Sequence, residues 1–182
     1  MTALPSDPGR FLEPADPALF YRRDDPNDPR LGELALRGPE RLGEAAVALV
    51  AAGFDAAGIA LTVEAPGELR LYGFPNEYAQ VLLNLMGNAK QAVQASGAAP
   101  GRVGISLEAR EGMGHLTVRD NGGGINPEIL EKIFEPYFST RDTGTGLGLY
   151  MSRQIIERSM GGRITARNIE GGAEFLVSVP LA

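Results

Sequence analysis

The spacing of apolar residues changes character near residue 38. Residues 1–37 are dense in Pro and Asp ("LPSDPGR", "LEPADPALF", "RRDDPNDPR") and keep neither a period of 2 nor one of 3.6, which predicts a poorly ordered arm or linker. If this arm is an interaction segment, Phe11, Phe20 and Tyr21 are its anchors. From Pro39 the segment "ERLGEAAVALVAAGF" places Leu42, Ala45, Ala46, Leu49 and Val50 on one stripe, an amphipathic helix ending near Gly53. Two alternating runs follow, "IALTVEA" and "ELRLYG", strands joined through the turn residues Pro66 and Gly67.

The longest helical pattern is "PNEYAQVLLNLMGNAKQAVQAS", opened by Pro75 with Asn76 beside it and closed by Gly97. Strands "RVGISLEAR" and "HLTVRD" come next around the turn "EGMG", then a glycine cluster, a short helix in "NPEILEKIF" and an irregular stretch. Helix "LGLYMSRQIIERSM" stops at Gly161 and Gly162, and strands "RITARNI" and "EFLVSVPL" are linked by Glu170, Gly171 and Gly172. Hairpins alternating with helices predict one α+β domain over residues 38–182. It would be a two-layer α/β sandwich whose mixed, mostly antiparallel sheet carries helices on one face.

Charge narrows the partners. With 17 Lys and Arg against 23 Asp and Glu, a net charge of −6, the chain has no electrostatic reason to seek nucleic acid, so any phosphate must be bound locally. No cysteine is present, which excludes disulfides and thiolate metal sites. The start lacks a secretory pattern, and the most apolar stretch, "LGEAAVALVAAGFDAAGIALTV", is broken by Glu44, Asp55 and glycines, too weak for a membrane span. A soluble, cytoplasmic protein is expected.

Three groups of residues carry candidate chemistry. On the long helix, Leu82, Leu85, Met86, Ala89 and Val93 make the core stripe, while Asn84, Asn88 and Gln91 share a second, polar face. Asn disfavours a helix interior, so this stripe is either a solvated face or a ligand face. An amide oxygen can hold a hard cation without adding charge near phosphates. Asp120 ends a strand just before Gly122, Gly123 and Gly124. There a carboxylate can accept from a flat donor edge and bare backbone can lie against a ring, although Asp-Asn-Gly is also an ordinary turn. In "TGTGLGL", Gly144, Gly146 and Gly148 leave N–H groups uncovered at a helix start, an arrangement that suits an anion. The spacing is neither that of the dinucleotide fingerprint nor that of the P-loop. Between the glycine clusters, "KIFEPYFSTRD" offers Phe134, Tyr137 and Phe138 as anchors and Ser139, Thr140 and Arg141 as donors. It suits a lid or an anchored surface loop.

"NLMGNAKQAV", "DNGGGI", "FEPYFST" and "TGTGLGL", in this order, resemble the N, G1, F and G2 boxes of the ATP-binding catalytic domain of sensor histidine kinases. The resemblance runs from about residue 39 to the C-terminus. It implies the Bergerat ATP-binding fold of the superfamily shared with gyrase, Hsp90-type chaperones and mismatch-repair ATPases. It further implies ATP and Mg2+ as ligands, with Asn88 as the metal ligand and Asp120 as acceptor for the adenine amino group. Gly122, Gly124 and Ile125 would shape the base pocket. Gln91, Phe138, Thr140, Gly144, Thr145, Gly146, Leu147 and Gly148 would complete the nucleotide site, and Arg141 would reach the γ-phosphate.

Hydrolases of the superfamily carry a general-base Glu one turn before the metal Asn. Asn84 stands there in this chain and an amide cannot take the proton, so phosphoryl transfer is implied instead, with Asn84, Asn88 and Arg141 as the catalytic set. Gln91 replaces a frequent Lys, and Ala173 a frequent Thr. The family phosphorylates a histidine on a dimerisation hairpin and passes the group to a response regulator. The single histidine, His115, lies in a predicted strand and is expected to be a sheet residue. The chain is thus expected to be the catalytic half alone, served by a dimerisation domain in cis or in trans. A stand-alone serine kinase of anti-sigma type and a non-catalytic ATP-binding module are the alternatives.

Overall fold

The computed structural model describes residues 51–65, 69–140 and 144–182, together with the backbone of 32–36. Strands β1 (Gly32–Leu36) and β3 (Leu69–Gly73) form a small antiparallel pair. A five-stranded sheet runs in the order β2 (Ile59–Glu64), β4 (Gly101–Arg110), β5 (Met113–Asp120), β7 (Gly172–Pro180), β6 (Arg163–Ile169). Only the β2–β4 pair is parallel; the others are antiparallel, so the sheet is mixed and mostly antiparallel as expected.

Two expectations are corrected by this topology. The runs on either side of Pro66 and Gly67 are strands, but they do not pair with each other. β2 joins the main sheet beside β4 and β3 joins β1, because alternation specifies a strand and not its partner. Residues 32–36, assigned from composition to the arm, form a strand on β3; the rest of the arm and most of the helix expected from Pro39 lie outside the described residues. Of that helix, residues 51–55 are helical, ending beyond Gly53, and the chain turns at Gly58 with φ +65°.

Helix α1 (Pro75–Ser96) fits its sequence pattern: Pro occupies the first turn, Gly97 takes the left-handed conformation (φ 67°) that ends it, and Asn76 makes no cap. Its buried stripe, Tyr78, Val81, Leu82, Leu85, Met86, Ala89 and Val93, rests on Val103, Ile105 and Leu107 of β4 and Leu116 and Val118 of β5. The second helix, α2 (Gly148–Gln154), runs on as a π-helical turn, Ile155–Ser159, whose Ile155 and Ile156 enter the same core. "NPEILEKIF" is not one helix but two 3-10 turns, Pro127–Ile129 and Lys132–Phe134, the first capped by Asn126 on the Glu128 N–H at 2.9 Å. Ile133 and Phe134 of the second turn are both buried.

On the sheet face away from the core, register places Arg119, Glu174 and Arg167 side by side on β5, β7 and β6. Both guanidinium groups donate to the buried Glu174 carboxylate, at 2.6 and 2.5 Å, and hydrogen bonding from Arg167 leads the effects that hold that carboxyl below its ordinary range. His115 is a sheet residue on this face, paired with Ser178 Oγ at 2.9 Å.

Candidate functional site

A cavity of about 840 Å3 opens between α1, the end of β5 and the segments that carry the two glycine clusters. One wall is the polar face of α1: Asn84, Asn88 and Gln91 all line it, so the second stripe read from the sequence faces the cavity. Gly87 and Ala92 line the same wall and keep it low.

Asp120 forms the floor, 5% exposed. Its Oδ1 accepts the Gly122 N–H at 2.8 Å and the Ala173 N–H at 3.4 Å. Burial pushes the carboxyl above its ordinary range, and these two main-chain bonds partly oppose the shift. Both bonds fall on Oδ1, so Oδ2 is left to accept from a ligand. Gly122 is there for close approach: a Cβ on it would lie 2.5 Å from the Ala92 carbonyl carbon of α1. Gly123 and Gly124 have φ near +85° and carry the turn to Ile125, which lines the cavity with Gly122 and Gly124.

Phe138, Ser139 and Thr140 supply the opposite wall with Gly144, Thr145, Gly146 and Gly148. Phe134 anchors this segment, packing edge-on against Phe175 of β7 with ring centroids 6.5 Å apart. Arg153 of α2 lies over the Phe134 ring, its guanidinium carbon 5.6 Å from the centroid. Tyr137 is no anchor, contrary to expectation: it is 79% exposed at φ +63°, and the main chain of Gly146 packs against its backbone where any side chain would collide. Leu147 precedes α2 and is not part of the cavity wall; its N–H reaches Thr145 Oγ1 at 3.4 Å. Arg141 lies outside the described residues.

Sequence reasoning missed several contributors. Ala173, noted only as a departure, holds Asp120 through its N–H and lines the cavity with Phe175. Ser152, 2% exposed, accepts from Asn84 Nδ2 at 3.0 Å and donates to the Gly148 carbonyl at 3.0 Å, tying α1 to the start of α2. Ser152 lies 68 residues from Asn84, so no local pattern joins them.

The donor set fits a hard cation brought in with phosphates. Asn88 offers a neutral amide oxygen at the cavity wall, and no group of three or more His, Cys, Asp or Glu able to hold a metal alone occurs among the described residues. No helix among these residues is long and apolar enough to cross a membrane.

The profile of the histidine kinase-, DNA gyrase B- and HSP90-like ATPases matches residues 73–182. Over 131 residues the chain is 44% identical to the two-component sensor PprA of Pseudomonas aeruginosa, covering 68% of this chain and 14% of that protein. It is also 44% identical over 116 residues to the sensor histidine kinase ZraS of Salmonella typhimurium, covering 62% and 23% respectively, so it spans a small part of these relatives. The solved catalytic domain of the histidine kinase ThkA matches with a TM-score of 0.73 and 32% identity, over 82% of this chain and 95% of that one. ThkA in complex with the response regulator TrrA matches with a TM-score of 0.67 and 30% identity, over 84% and 42%. The chain belongs to the histidine kinase-, DNA gyrase B- and HSP90-like ATPase family, in its branch of sensor histidine kinase catalytic domains.

Proposed function

We propose that the cavity binds Mg-ATP and that the domain donates the γ-phosphoryl group to a histidine on a dimerisation domain, from which a response regulator takes it in the cytoplasm. The observation that carries this reading is Asp120. A buried carboxylate with one oxygen fixed by two main-chain donors presents the other to a cavity large enough for a nucleotide. An exocyclic amine is the donor it suits. Gly122, Gly124 and Ile125 would flank the base, and Gln91, Phe138, Thr140, Gly144, Thr145, Gly146 and Gly148 would lie along the ribose and phosphates.

Asn88 would hold the Mg2+, whose charge, when bound, offsets the negative charge of the β- and γ-phosphates. Asn84 is fixed by Ser152 and has no basic atom, so this chain offers no general base for water at that position. In the transfer itself an unprotonated imidazole nitrogen of the acceptor attacks the γ-phosphorus. The bond from that phosphorus to the β–γ bridging oxygen breaks, ADP leaves, and the acceptor ring gives up its remaining N–H proton to solvent. Arg141 would meet the γ-phosphate as the segment from Phe138 closes.

Titration calorimetry with AMP-PNP and Mg2+ tests the binding step. Wild type is expected to bind and Asn88→Ala to lose the Mg2+-dependent part of the affinity; a wild type that binds no nucleotide overturns the reading. Labelled ATP and an added dimerisation hairpin test the transfer, with an acid-labile label expected. An acid-stable label would indicate a serine kinase, and no label an ATP-binding module.

A further inference from the structure

We infer that Asn168 is a positioning residue that sets the width of the base pocket and, through it, the discrimination between adenine and guanine nucleotides; this rests on the nucleotide reading above. Asn168 stands near the end of β6, is exposed, and does not line the cavity. Its carboxamide pairs with the main chain of Ile125: Oδ1 accepts the Ile125 N–H at 2.7 Å and Nδ2 donates to the Ile125 carbonyl at 2.7 Å. The side chain thus acts as a one-residue strand partner for a turn 43 positions away.

That turn needs an outside partner. It contains three consecutive glycines, which lose more backbone freedom on ordering than any other residue. Besides the pair made by Asn168, the turn is held to the β6–β7 hairpin by Gly123 N–H to the Gly171 carbonyl at 3.0 Å. Gly124 leaves room for the contact, since a Cβ there would lie 2.9 Å from Asn168 Oδ1.

The hairpin also fixes the facing acid. Asn168 is the register partner of Ala173, whose N–H bonds to Asp120 Oδ1. One cross-strand pair therefore holds both sides of the pocket, Asp120 through Ala173 and Ile125 through Asn168. The separation between the acceptor that reads an amine and the apolar wall beside it follows from that pair. Guanine carries a carbonyl oxygen where adenine carries the amine. A fixed wall keeps guanine from shifting to avoid Asp120, and a loosened wall would let it.

Only a carboxamide offers a donor and an acceptor side by side in the geometry of a peptide group. Asn168→Ala removes both bonds. Asn168→Asp keeps the volume and the acceptor but sets a carboxylate oxygen against the Ile125 carbonyl. Both variants are expected to fold, because the side chain is exposed, and thermal melts check that they do.

Calorimetry with ADP, AMP-PNP and GDP is the test. In Asn168→Ala, ADP and AMP-PNP affinities are expected to fall by the same factor, about tenfold, with GDP affected less, so that discrimination narrows; Asn168→Asp is expected to lose at least as much. Amide exchange at Ile125 should quicken in Asn168→Ala, which loses the acceptor of that N–H. If wild type binds ADP and both variants keep its affinity and its preference over GDP, the inference is overturned while the nucleotide reading stands. A folded variant that loses ADP and GDP equally also overturns it, leaving Asn168 a structural role only. A wild type that binds neither nucleotide overturns both.

Discussion

The two ends of the cavity are built in different ways. At the end formed by β5, β6 and β7, nearly every polar group is tied to main chain. Asp120 is held by Gly122 and Ala173 and Ile125 by Asn168, while Asn121 accepts from the Arg102 N–H and donates to the Pro100 carbonyl. At the opposite end Thr140, Gly144, Thr145 and Gly148 are exposed; Thr145 Oγ1 accepts the Leu147 N–H, and Asn84 is joined through Ser152 to Gly148. A rigid end meets its ligand with little left to order, whereas an open end is completed by what it binds. The difference suits a ligand with a flat, neutral, shape-defined part and a flexible, charged part that must be released after reaction.

The rigid end offers the largest test. Asp120→Asn preserves the acceptor for Gly122 and Ala173 but turns an amide donor toward a ligand amine, and ADP affinity is expected to fall by about two orders of magnitude. Protonation should act in the same direction. Because burial raises the Asp120 pKa, the wild-type affinity for ADP should decline as pH falls through that raised value, and the Asn variant should lack this dependence. Stability runs the other way. With the native pKa above the unfolded one, the native state holds more protons in the interval between them, so the ligand-free protein gains stability as pH falls through that interval. At neutral pH Asp120→Asn should melt no lower than wild type. A variant that binds ADP normally would remove Asp120 from the site.

The open end gives a smaller effect. Ser152→Ala removes the partner of the half-buried Asn84 amide, which should cost about 1 kcal/mol of stability, or a few degrees in melting temperature. Asn84 then no longer fixes the start of α2 against the helix that bears Asn88. AMP-PNP affinity in Mg2+ should therefore drop more than ADP affinity. Equal losses for both ligands would indicate that the two ends are mechanically one unit.

The same contrast explains what the sequence made legible. Asn84, Asn88 and Gln91 were found because a helix repeats its faces within a few residues, and Asp120 because a strand end followed by glycines is a local pattern. The residues that lock these into place were not found. Asn168 meets Ile125 across 43 positions and Ser152 meets Asn84 across 68, and neither carries a periodic signal. Strand partners are not legible for the same reason: β2 and β3 alternate as strands do, yet β2 pairs with β4 across a crossover through α1 and β3 pairs back with β1. The π-helical turn at Ile155–Ser159 was hidden too, since its apolar residues serve an α-helix equally well.

The smallest expected effect separates folding from binding on α1 itself. Gly87 sits inside a 22-residue helix, where glycine costs about 0.5–1 kcal/mol relative to alanine, and a Cβ there would meet nothing within 4 Å. Packing among the described residues gives no reason for it. The residue lines the cavity between Asn84 and Asn88, so an added methyl would project toward whatever occupies that space. Gly87→Ala is therefore expected to raise thermal stability by about that amount while lowering AMP-PNP affinity a fewfold. A variant that is more stable and binds as before would show that bare backbone on this wall serves no ligand, and would confine the recognition surface to the floor and the far side of the cavity.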